Sequence, residues 1–457
     1  MVKNLTEGKP LKLLFFFSLP MLLGNLFQQL YNMVDSIVVG NFVGADALAA
    51  VGASFPVTFL AVALAAGLSM GCNVVISQLF GANRIREMKV TVSTALIGQF
   101  FLSVAIMIVG GLLSPAILSL LKTPDNIMAD SRTYLQIYFG GAVFLFIYNT
   151  LNGIYNALGD SKTPLYFLIF STLANIYLDL RFVIRYQMGV AGVAWATLIA
   201  QGICAGLSLL VLLIRLKKMP DEEDAPELKA RLFDFSAVKR IAHVGVPSMI
   251  QQSIVSLSML FMQGLVNSYG SVFIAGYTAA TKIDSLAMLP NMNFSNAMSS
   301  YTAQNIGAGK PERVKEGYKA SICMVVVFSV ALTTMIFLFG PNLLNLFMDS
   351  NINVDSIGYG MSYMRTVSSF YILMGILFVS NGLLRGAGDM GFFMLSSLGN
   401  LFCRVAIAYT LASRIGPGAI WWSIPIGWLV GSAISFSRYR SGKWEKRRLV
   451  GERGENK

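Results

Sequence analysis

Apolar runs of about 20 residues fill nearly the whole of this chain, and no other feature constrains its fold as strongly. A helix rises ~1.5 Å per residue and must cross ~30 Å of hydrocarbon, so runs of this length are typical of membrane-spanning helices. Of the 457 residues, 13% are charged and 55% are hydrophobic, whereas about a quarter of a soluble domain is charged. A soluble fold could not bury so much apolar sequence. The pattern therefore predicts an all-α integral membrane protein.

Twelve membrane spans account for these runs. The first run follows Lys9-Pro10-Leu11-Lys12 and resembles a secretory signal, but no small-residue cleavage site closes it and it continues through Val39, so we interpret it as a span. The predicted spans cover residues 13–39, 50–77, 91–114, 133–158, 164–186, 190–214, 240–266, 273–300, 317–340, 363–385, 392–412 and 417–437.

Lysine and arginine fall mainly on one side of this topology. With both termini and every second loop on one face, that face carries 27 of the 35 basic residues. The positive-inside rule makes it the cytoplasmic face, which predicts an inner-membrane protein with both termini in the cytoplasm. The basic tail would set topology and contact lipid headgroups. Because topology explains the net charge of +12, no nucleic-acid partner is expected.

The two halves of the chain repeat each other. Matching positions are separated by 225 to 229 residues, and they flank a polar linker; examples are Pro20 with Pro247, Gln78 with Gln304, Gly159-Asp160 with Gly388-Asp389, Asn175 with Asn400, and Trp195 with Trp421. We therefore predict an N-terminal lobe over 1–214, a cytoplasmic linker over 215–239, a C-terminal lobe over 240–437 and a basic cytoplasmic tail over 438–457. Because six is an even number, the repeats are parallel, and two six-helix bundles would surround a central cleft suited to alternating access.

Ionisable residues inside spans are functional candidates, because an ionised carboxylate in hydrocarbon needs partners or water. Asp35 and Asp179 each lie 15 residues after a proline near the cytoplasmic side, ~22 Å along the helix. Thr197 is predicted at a similar depth from the opposite side, and Asn175 lies one turn from Asp179 on the same helix face. Two carboxylates, an amide and a hydroxyl at one depth suit Na⁺, or a carboxylate pair that shares a proton.

Several motifs together resemble the multidrug and toxic compound extrusion (MATE) family. They are Pro20 followed by Asp35, the run from Val39 to Ala50, Gln78-x-x-Gly81-Ala82 and Gln304-x-x-Gly307-Ala308, Asn156-Ala157-Leu158-Gly159-Asp160, Asn175 to Asp179, and Gly189 to Thr197. The resemblance covers Leu13 to Phe436. It implies a two-lobed secondary transporter that exchanges Na⁺ or H⁺ for organic, often cationic, drugs or toxic compounds. It also implies that Asp35, Asn175, Asp179 and Thr197 bind the coupling cation, with Asp35 and Asp179 as Na⁺ ligands if Na⁺ is the coupling ion.

The acids have a simpler alternative interpretation. Asp35 could be a helix-end residue in headgroup water, and Asp179 could pair with Arg181 or Arg185. Arg181 departs from the apolar residue expected after Asp179 in this family. Its charge would favour the ionised form of Asp179, which makes Asp35 the better candidate proton carrier.

Further residues are candidates for lining a cavity. Asn149, Asn152 and Asn156 share one helix face with Tyr155, and either hydrogen bonding between helices or a cavity wall would explain them. In the second half, Met262 and Arg404 stand at the repeat positions of Asp35 and Asp179, so coupling is expected in the N-terminal lobe alone. The C-terminal candidates are Gln252, Met259, Met262, Met288 and Met292, for which core packing is the alternative, and Asp284, which either pairs with Lys282 or contacts substrate.

No cofactor is expected, and the four cysteines and His243 suggest neither a disulfide framework nor a metal site. The function that fits best is a cation-coupled antiporter of small organic molecules that works as a monomer. A flippase for lipid-linked precursors is the alternative, although it would require a more cationic cavity. A membrane-embedded enzyme is the lesser alternative, since the sequence contains no His-rich metal cluster, Gly-x-Ser-x-Gly motif or nucleotide-binding loop.

Overall fold

In a computed structural model, residues 4–220, 231–347 and 354–451 are described, and every regular element within them is helical. Residues 221–230 of the predicted linker and 452–457 of the predicted tail lie outside the described residues. The helix before the predicted linker continues to Lys218, and the helix after it begins at Phe235. The first and last residues of the predicted linker are therefore helical.

Seven helices form the first repeat. The first and sixth each continue as one turn of π-helix, Val39–Val43 and Arg181–Arg185. The α-helices are α1 Pro10–Val38, α2 Ala45–Gly81, α3 Ile85–Leu120, α4 Asp125–Gly140, α5 Ala142–Ala157, α6 Lys162–Leu180 and α7 Gly189–Lys218.

Seven more helices form the second repeat, and a short 3₁₀ turn, Lys443–Lys446, follows them. The helices are α8 Phe235–Asn267, α9 Ser271–Gly307, α10 Pro311–Asn345, α11 Val354–Ser368, α12 Tyr371–Ala387, α13 Met390–Ile415 and α14 Gly418–Arg440.

Two of the predicted spans are bent rather than continuous. The α4–α5 pair bends by 50° and the α11–α12 pair by 51°, so the spans predicted over 133–158 and 363–385 are each built from two helices. Gly140 and Gly141 stand at the first bend, where a glycine pair weakens the helix. Both pairs also begin earlier than predicted, at Asp125 and Val354. Their first turns contain polar residues, and a span predicted from a continuous apolar run leaves such residues out.

The twelve-helix prediction is confirmed for the described part of the chain. Nine helices are long and apolar enough to span a membrane by themselves, and each bent pair supplies one more. The remaining span is α9, which has 37 residues and a polar sequence. Its polarity has a structural reason, because most of its side chains are buried among the other helices of its repeat.

The outer surface of the helices is apolar, the reverse of a soluble fold. In α3, only 22% of the most apolar window is buried, and side chains such as Phe101 and Leu112 are 67% and 75% exposed. Exposed apolar side chains at this density cannot face water without aggregation. They identify the lipid-facing surface.

The described residues form two compact units. Unit 1 comprises residues 1–4 and Pro20–Met249, and unit 2 comprises Leu5–Leu19 and Ile250–Lys457. The changeover points in α1 and α8 therefore lie at or beside Pro20 and Pro247, the prolines that match in the repeat.

Close packing in unit 1 depends on a ladder between α2 and α5. The side chains of Ser69 and Asn73 donate hydrogen bonds to the backbone oxygens of Asn149 and Gly153 at 2.6 and 3.0 Å. Unit 2 repeats this contact between α9 and α12, where Gly382 lies against Ser295. Small residues allow the backbones to approach, which is how helices pack where water supplies no driving force.

The repeated Gly-Asp motifs are helix-start turns. Gly159 and Gly388 have φ values of 71° and 84°, in the left-handed region that favours glycine. Asp160 then accepts hydrogen bonds from the N–H groups of Lys162 and Thr163, both at 3.1 Å, which caps α6.

Each of these aspartates also pairs with an arginine near the end of its repeat. Arg215 of α7 pairs with Asp160 at 2.5 Å, and Arg438 of α14 pairs with Asp389 at 2.6 Å. Asp160 and Asp389 are almost fully buried. The motif therefore holds the last helix of each repeat to the turn that precedes α6 or α13.

The Asp160 pair should make stability sensitive to acid. Burial raises the pKa of Asp160, but hydrogen bonds from Thr163 and Arg215 outweigh it and leave the pKa below its ordinary value. A lowered pKa contributes stability above the ordinary pKa of about 3.9 and loses it as the pH falls through the folded-state pKa. We expect Asp160→Asn to lower the melting temperature at pH 7 and to have a smaller effect below pH 4. An equal loss at every pH in a thermal-unfolding series would contradict this.

The described part of the basic tail is folded rather than free. Trp444 is fully buried, and its indole N–H donates to the Tyr439 carbonyl at 3.0 Å. Glu445 bonds to Lys315 of α10 at 3.1 Å. This part of the tail therefore belongs to the core of unit 2.

Candidate functional site

Three helices of unit 1 converge at one polar cluster. Asp35 is near the end of α1, Asn175 and Asp179 lie one turn apart on α6, and Thr197 is on α7. Asp35 lies four residues before the first π-helical turn and Asp179 two residues before the second, and the two turns contact each other. Such turns are rare and are frequent at functional sites. The four residues that the sequence analysis grouped by depth are thus neighbours in the fold.

Asn175 is the centre of this cluster. With its nitrogen facing the carboxyls, it donates to Asp35 Oδ1 at 3.0 Å and to Asp179 Oδ2 at 3.0 Å, and its oxygen accepts from the Thr197 N–H at 3.2 Å. The hydroxyls of Tyr31 and Thr197 are 2.9 Å apart, and Tyr31 also hydrogen bonds to Asp35. One amide therefore connects all three helices.

The carboxyls of Asp35 and Asp179 are also in hydrogen-bonding contact with each other. Asp179 is fully buried, and its Oδ1 has no hydrogen-bond partner among the described residues. Two adjacent carboxylates, one of them fully buried, cannot both remain ionised without a compensating positive charge. The arrangement calls for a shared proton or a bound cation. Among the described residues no group of three His, Cys, Asp or Glu side chains could hold a metal ion.

Arg181, which follows Asp179 by two residues, takes another position. Its guanidinium lies over the ring of Tyr177 at 5.9 Å. Asp179 instead contacts Asp35 and Asn175. The alternative in which Asp179 pairs with Arg181 therefore has no geometric support.

A small cavity of about 30 Å³ adjoins the cluster. Its lining contains amides, hydroxyls and phenols but no ionised side chain, and three members, Tyr31, Asn175 and Thr197, also belong to the carboxyl cluster. The lining residues are Gln28, Tyr31, Tyr148, Leu168, Ser171, Thr172, Asn175, Thr197, Ala200 and Gln201.

Sequence reasoning missed most of this lining, although helical spacing could have found part of it. Gln28 lies seven residues before Asp35, Ser171 four before Asn175, and Gln201 four after Thr197. Each continues the helix face of a site residue toward the next turn. In the sequence, uncharged polar residues were weaker indicators of a functional site than acids were.

The four candidates predicted on α5 do not line this cavity. Tyr155 is fully buried and donates to the Ser208 carbonyl at 2.7 Å, so it is a packing residue. Asn149 donates to Leu145 of its own helix at 2.9 Å. The buried Oδ1 atoms of Asn152 and Asn156 have no hydrogen-bond partner among the described residues. Their neighbour Tyr148 reaches the cavity instead.

The candidates of unit 2 divide between core and surface. Met262 is buried in the main apolar cluster and Met288 packs against it, which fits the core alternative. Met259 and Met292 are exposed, at 53% and 37%, and Gln252 is partly buried.

Asp284 does not pair with Lys282. It accepts hydrogen bonds from Tyr363 and Tyr371, whereas the Lys282 ammonium lies 5.9 Å from the Phe347 ring centroid. Of the two alternatives for Asp284, the ion pair with Lys282 is therefore not formed, because residues two apart point to different sides of a helix.

The sequence and the fold are both similar to those of known proteins. The MatE family profile matches residues 20–180 and 247–410. A probable multidrug resistance protein of Bacillus subtilis, YpnP, is 32% identical over 98% of this chain and 99% of its own length. A MOP superfamily transporter from Pyrococcus furiosus, for which a reverse-polarity binding pocket is reported, is 26% identical, with a TM-score of 0.88 over 97% of this chain and 98% of its own. The outward-facing structure of a multidrug resistance MATE family transporter gives the same values.

Proposed function

Because this chain belongs to the MATE family of membrane transporters, we propose that it is an antiporter that exports small organic compounds in exchange for Na⁺ or H⁺. The cation would bind between Asp35 and Asp179, and the substrate would contact the polar residues that line the neighbouring cavity, in a conformation in which that cavity is wider. The arrangement of Lys and Arg supports a cytoplasmic membrane location with both termini inside.

The observation that carries this proposal is the sharing of side chains between the two sites. Tyr31, Asn175 and Thr197 line the cavity and also hold the carboxyl pair. A cation that reorients the Asn175 amide would change the donors and acceptors that the cavity presents. By linkage, a substrate must then change cation affinity by the same factor. Exchange requires that each weaken the binding of the other.

The driving force would act through the carboxyl pair. Entry of one positive charge down the membrane potential is worth ~2.3 kcal/mol per 100 mV. Once the cation neutralises Asp35 and Asp179, their hydrogen bonds to Asn175 weaken, and the cluster favours a different conformation from the ionised one. The free energy of cation binding thereby shifts the protein toward the conformation that the neutralised cluster favours.

The flippase alternative is not favoured. It would require a basic cavity, whereas the described cavity of unit 1 is lined by uncharged side chains. The curated relative described above is named for multidrug resistance.

Purified protein in liposomes tests the proposal. A Na⁺ gradient and a pH gradient are imposed separately, and uptake of a fluorescent organic cation such as ethidium is followed. We expect transport with one gradient and none without either. Equal transport with and without gradients, in vesicles that hold folded protein, would rule out coupled exchange.

Asn175→Leu should uncouple the two sites. The substitution keeps the branched shape of the side chain but removes the amide that bonds Asp35, Asp179 and Thr197 together. Because loss of a ligand-orienting partner typically costs 10–100-fold, we expect the apparent cation affinity in transport to fall by at least about tenfold. Asn32→Leu, at an exposed position of α1, is the control. Unchanged cation dependence in Asn175→Leu would show that the amide is not part of the site.

A further inference from the structure

The chain in front of α1 is packed against unit 2. Leu5 and Thr6 are 1% and 5% exposed, although they precede the first helix and belong to no regular element. Gly8, with a φ value of 85°, then leads the chain into α1. We call residues 5–8 the N-terminal strap. The strap and the first turns of α1, through Leu19, belong to unit 2.

Two amides in the last turn of α9 bind the main chain of the strap. The Leu5 N–H donates to Gln304 Oε1 at 2.9 Å, and Asn305 Nδ2 donates to the Leu5 carbonyl at 3.3 Å. Both amides are fully buried. The Asn305 amide also donates to the Tyr301 carbonyl at 2.8 Å and accepts from Arg313 Nε at 3.2 Å. These partners orient Asn305 in advance, which lowers the cost of binding the strap.

Two basic residues at the beginning of α10 complete the contact. Lys310 Nζ donates to the Thr6 carbonyl at 3.4 Å, and Arg313 Nη2 donates to the Gly8 carbonyl at 2.9 Å. On the strap, all of these hydrogen bonds are made by main-chain atoms, and the buried Leu5 side chain is its one apolar group. Proteins bind extended peptides in this way, with main-chain hydrogen bonds for affinity and a side-chain pocket for specificity.

The corresponding segment of the second repeat, in front of α8, is held in another way. Its Leu232 is 74% exposed, and the Leu232 carbonyl accepts from Ser93 Oγ at 2.6 Å. Glu87 stands at the repeat position of Arg313 and pairs with Arg240 at 2.9 Å. A carboxylate cannot donate to a main-chain carbonyl as a guanidinium does. The contact built around Arg313 is therefore particular to unit 2.

The strap is joined to the helix that carries a coupling acid. α1 begins in unit 2 and belongs to unit 1 from Pro20 onward, with Asp35 near its end. In its first turns, Leu14 and Phe17 are buried. The strap adds hydrogen bonds and one further buried apolar side chain at the beginning of the helix. It therefore contributes to the anchor of a helix whose far end carries a cation ligand.

We propose that the end of α9 and the beginning of α10 form a receptor for an extended chain segment, with the N-terminal strap as its resident ligand, and that this docking is required for cation-driven transport because it anchors α1. The receptor includes the glutamine of the repeated Gln-x-x-Gly-Ala motif, to which the carboxyl cluster assigns no role. It consists of Gln304, Asn305, Lys310 and Arg313.

The role in transport rests on the antiport proposed above. Rigid, packed elements carry energetic coupling away from a binding site. α1 can carry it from Asp35 only if the beginning of the helix is fixed. With the strap released, the cation should still bind, but gradient-driven transport should be lost.

Protection of a cysteine measures the docking. Thr6→Cys and Glu7→Cys are made separately with Cys323→Ser and Cys403→Ser, since the other two cysteines are buried. We expect a maleimide to label position 6 at least about tenfold more slowly than the exposed position 7. Leu5→Asp, which would bury a carboxylate, should release the strap and make the two rates equal. Equal rates without Leu5→Asp, or unchanged protection with it, would overturn the receptor.

Two insertions test the anchor while the receptor stays occupied. Gly-Ser-Gly-Ser between Gly8 and Lys9 leaves the strap docked but separates it from α1, and the same insertion directly before Asn4 is the control. We expect the first insertion to lower gradient-driven uptake at least about threefold and the second to leave it unchanged. Both should retain the rise in melting temperature that the coupling cation produces, because Asp35 and Asp179 are unaltered.

The outcomes separate this inference from the antiport on which it rests. If the natural protein shows no uptake with either gradient, the antiport and the anchor both fail, while the labelling rates still decide the receptor. If the natural protein transports and the insertion after Gly8 transports equally, with position 6 protected, the anchor alone is overturned. Leu5→Met keeps an apolar side chain and should transport at the natural rate. If Leu5→Asp does not fold, the insertion at exposed Gly8 still tests the anchor.

Discussion

Asp35→Asn should reduce gradient-driven efflux to the level of empty liposomes while the protein remains folded. The amide retains the volume of the carboxyl but cannot ionise, so the pair formed with Asp179 loses the charge that a proton or Na⁺ would neutralise. Asp35 is only partly buried, whereas Asp179 is fully buried, so Asp35 is the member of the pair that an entering cation reaches first. The measurement is initial uptake rate in proteoliposomes under each gradient, normalised to reconstituted protein.

Asp46→Asn is the matched control for this variant. Asp46 is also an acid of unit 1, but it is exposed in the first turn of α2. We expect it to transport at the natural rate. Efflux by Asp35→Asn at the rate of Asp46→Asn would remove Asp35 from the mechanism.

Gly382→Leu should destabilise unit 2 more than any substitution on its surface. A Cβ atom at this position would lie 2.3 Å from the Ser295 backbone oxygen, and a backbone atom cannot move aside as a flexible side chain can. The helices α9 and α12 would have to separate along their length. Because overpacking costs ~1–3 kcal/mol even for smaller additions, we expect a loss of at least about 3 kcal/mol, seen as a large drop in melting temperature or loss of the folded fraction.

Gly358→Leu separates this effect from the intrinsic preference of leucine for helices. Gly358 is an exposed glycine of α11, and a Cβ atom there would meet nothing within 4 Å. Since leucine is favoured over glycine in a helix, this variant should melt at or above the natural temperature. Equal melting temperatures for both variants would mean that the α9–α12 contact does not limit stability.

Membrane helices were predictable because the bilayer imposes one length and one polarity on them. Runs such as 190–214 and 240–266 matched α7 and α8 to within a few residues. The bends were not predictable from hydropathy, because an average over a whole span does not register a glycine pair such as Gly140-Gly141 or a serine pair such as Ser368-Ser369. Hydropathy indicates whether a segment lies in lipid or in water, but it does not indicate where the helix axis changes direction.

The carboxyl cluster was accessible from the sequence for a different reason. An acid within an apolar run is conspicuous, and helix geometry fixes its depth, so Asp35 and Asp179 could be placed at one level. The cavity beside them was not accessible, since Gln28 and Gln201 are ordinary residues until three helices bring them together. Asp284 shows the same limit, because its two tyrosine partners lie 79 and 87 positions away.

The sequence by itself determined the number of spans, the two-copy repeat and the loss of acids from the second copy. These follow from hydropathy and from positions along one helix, which are local quantities. Only the tertiary structure decided that Asn175 connects Asp35 to Asp179 and that Asp284 bonds to two tyrosines rather than to Lys282. Those contacts depend on how separate helices are rotated about their axes. Rotation is set by interlocking side chains across a whole unit, and no single segment contains that information.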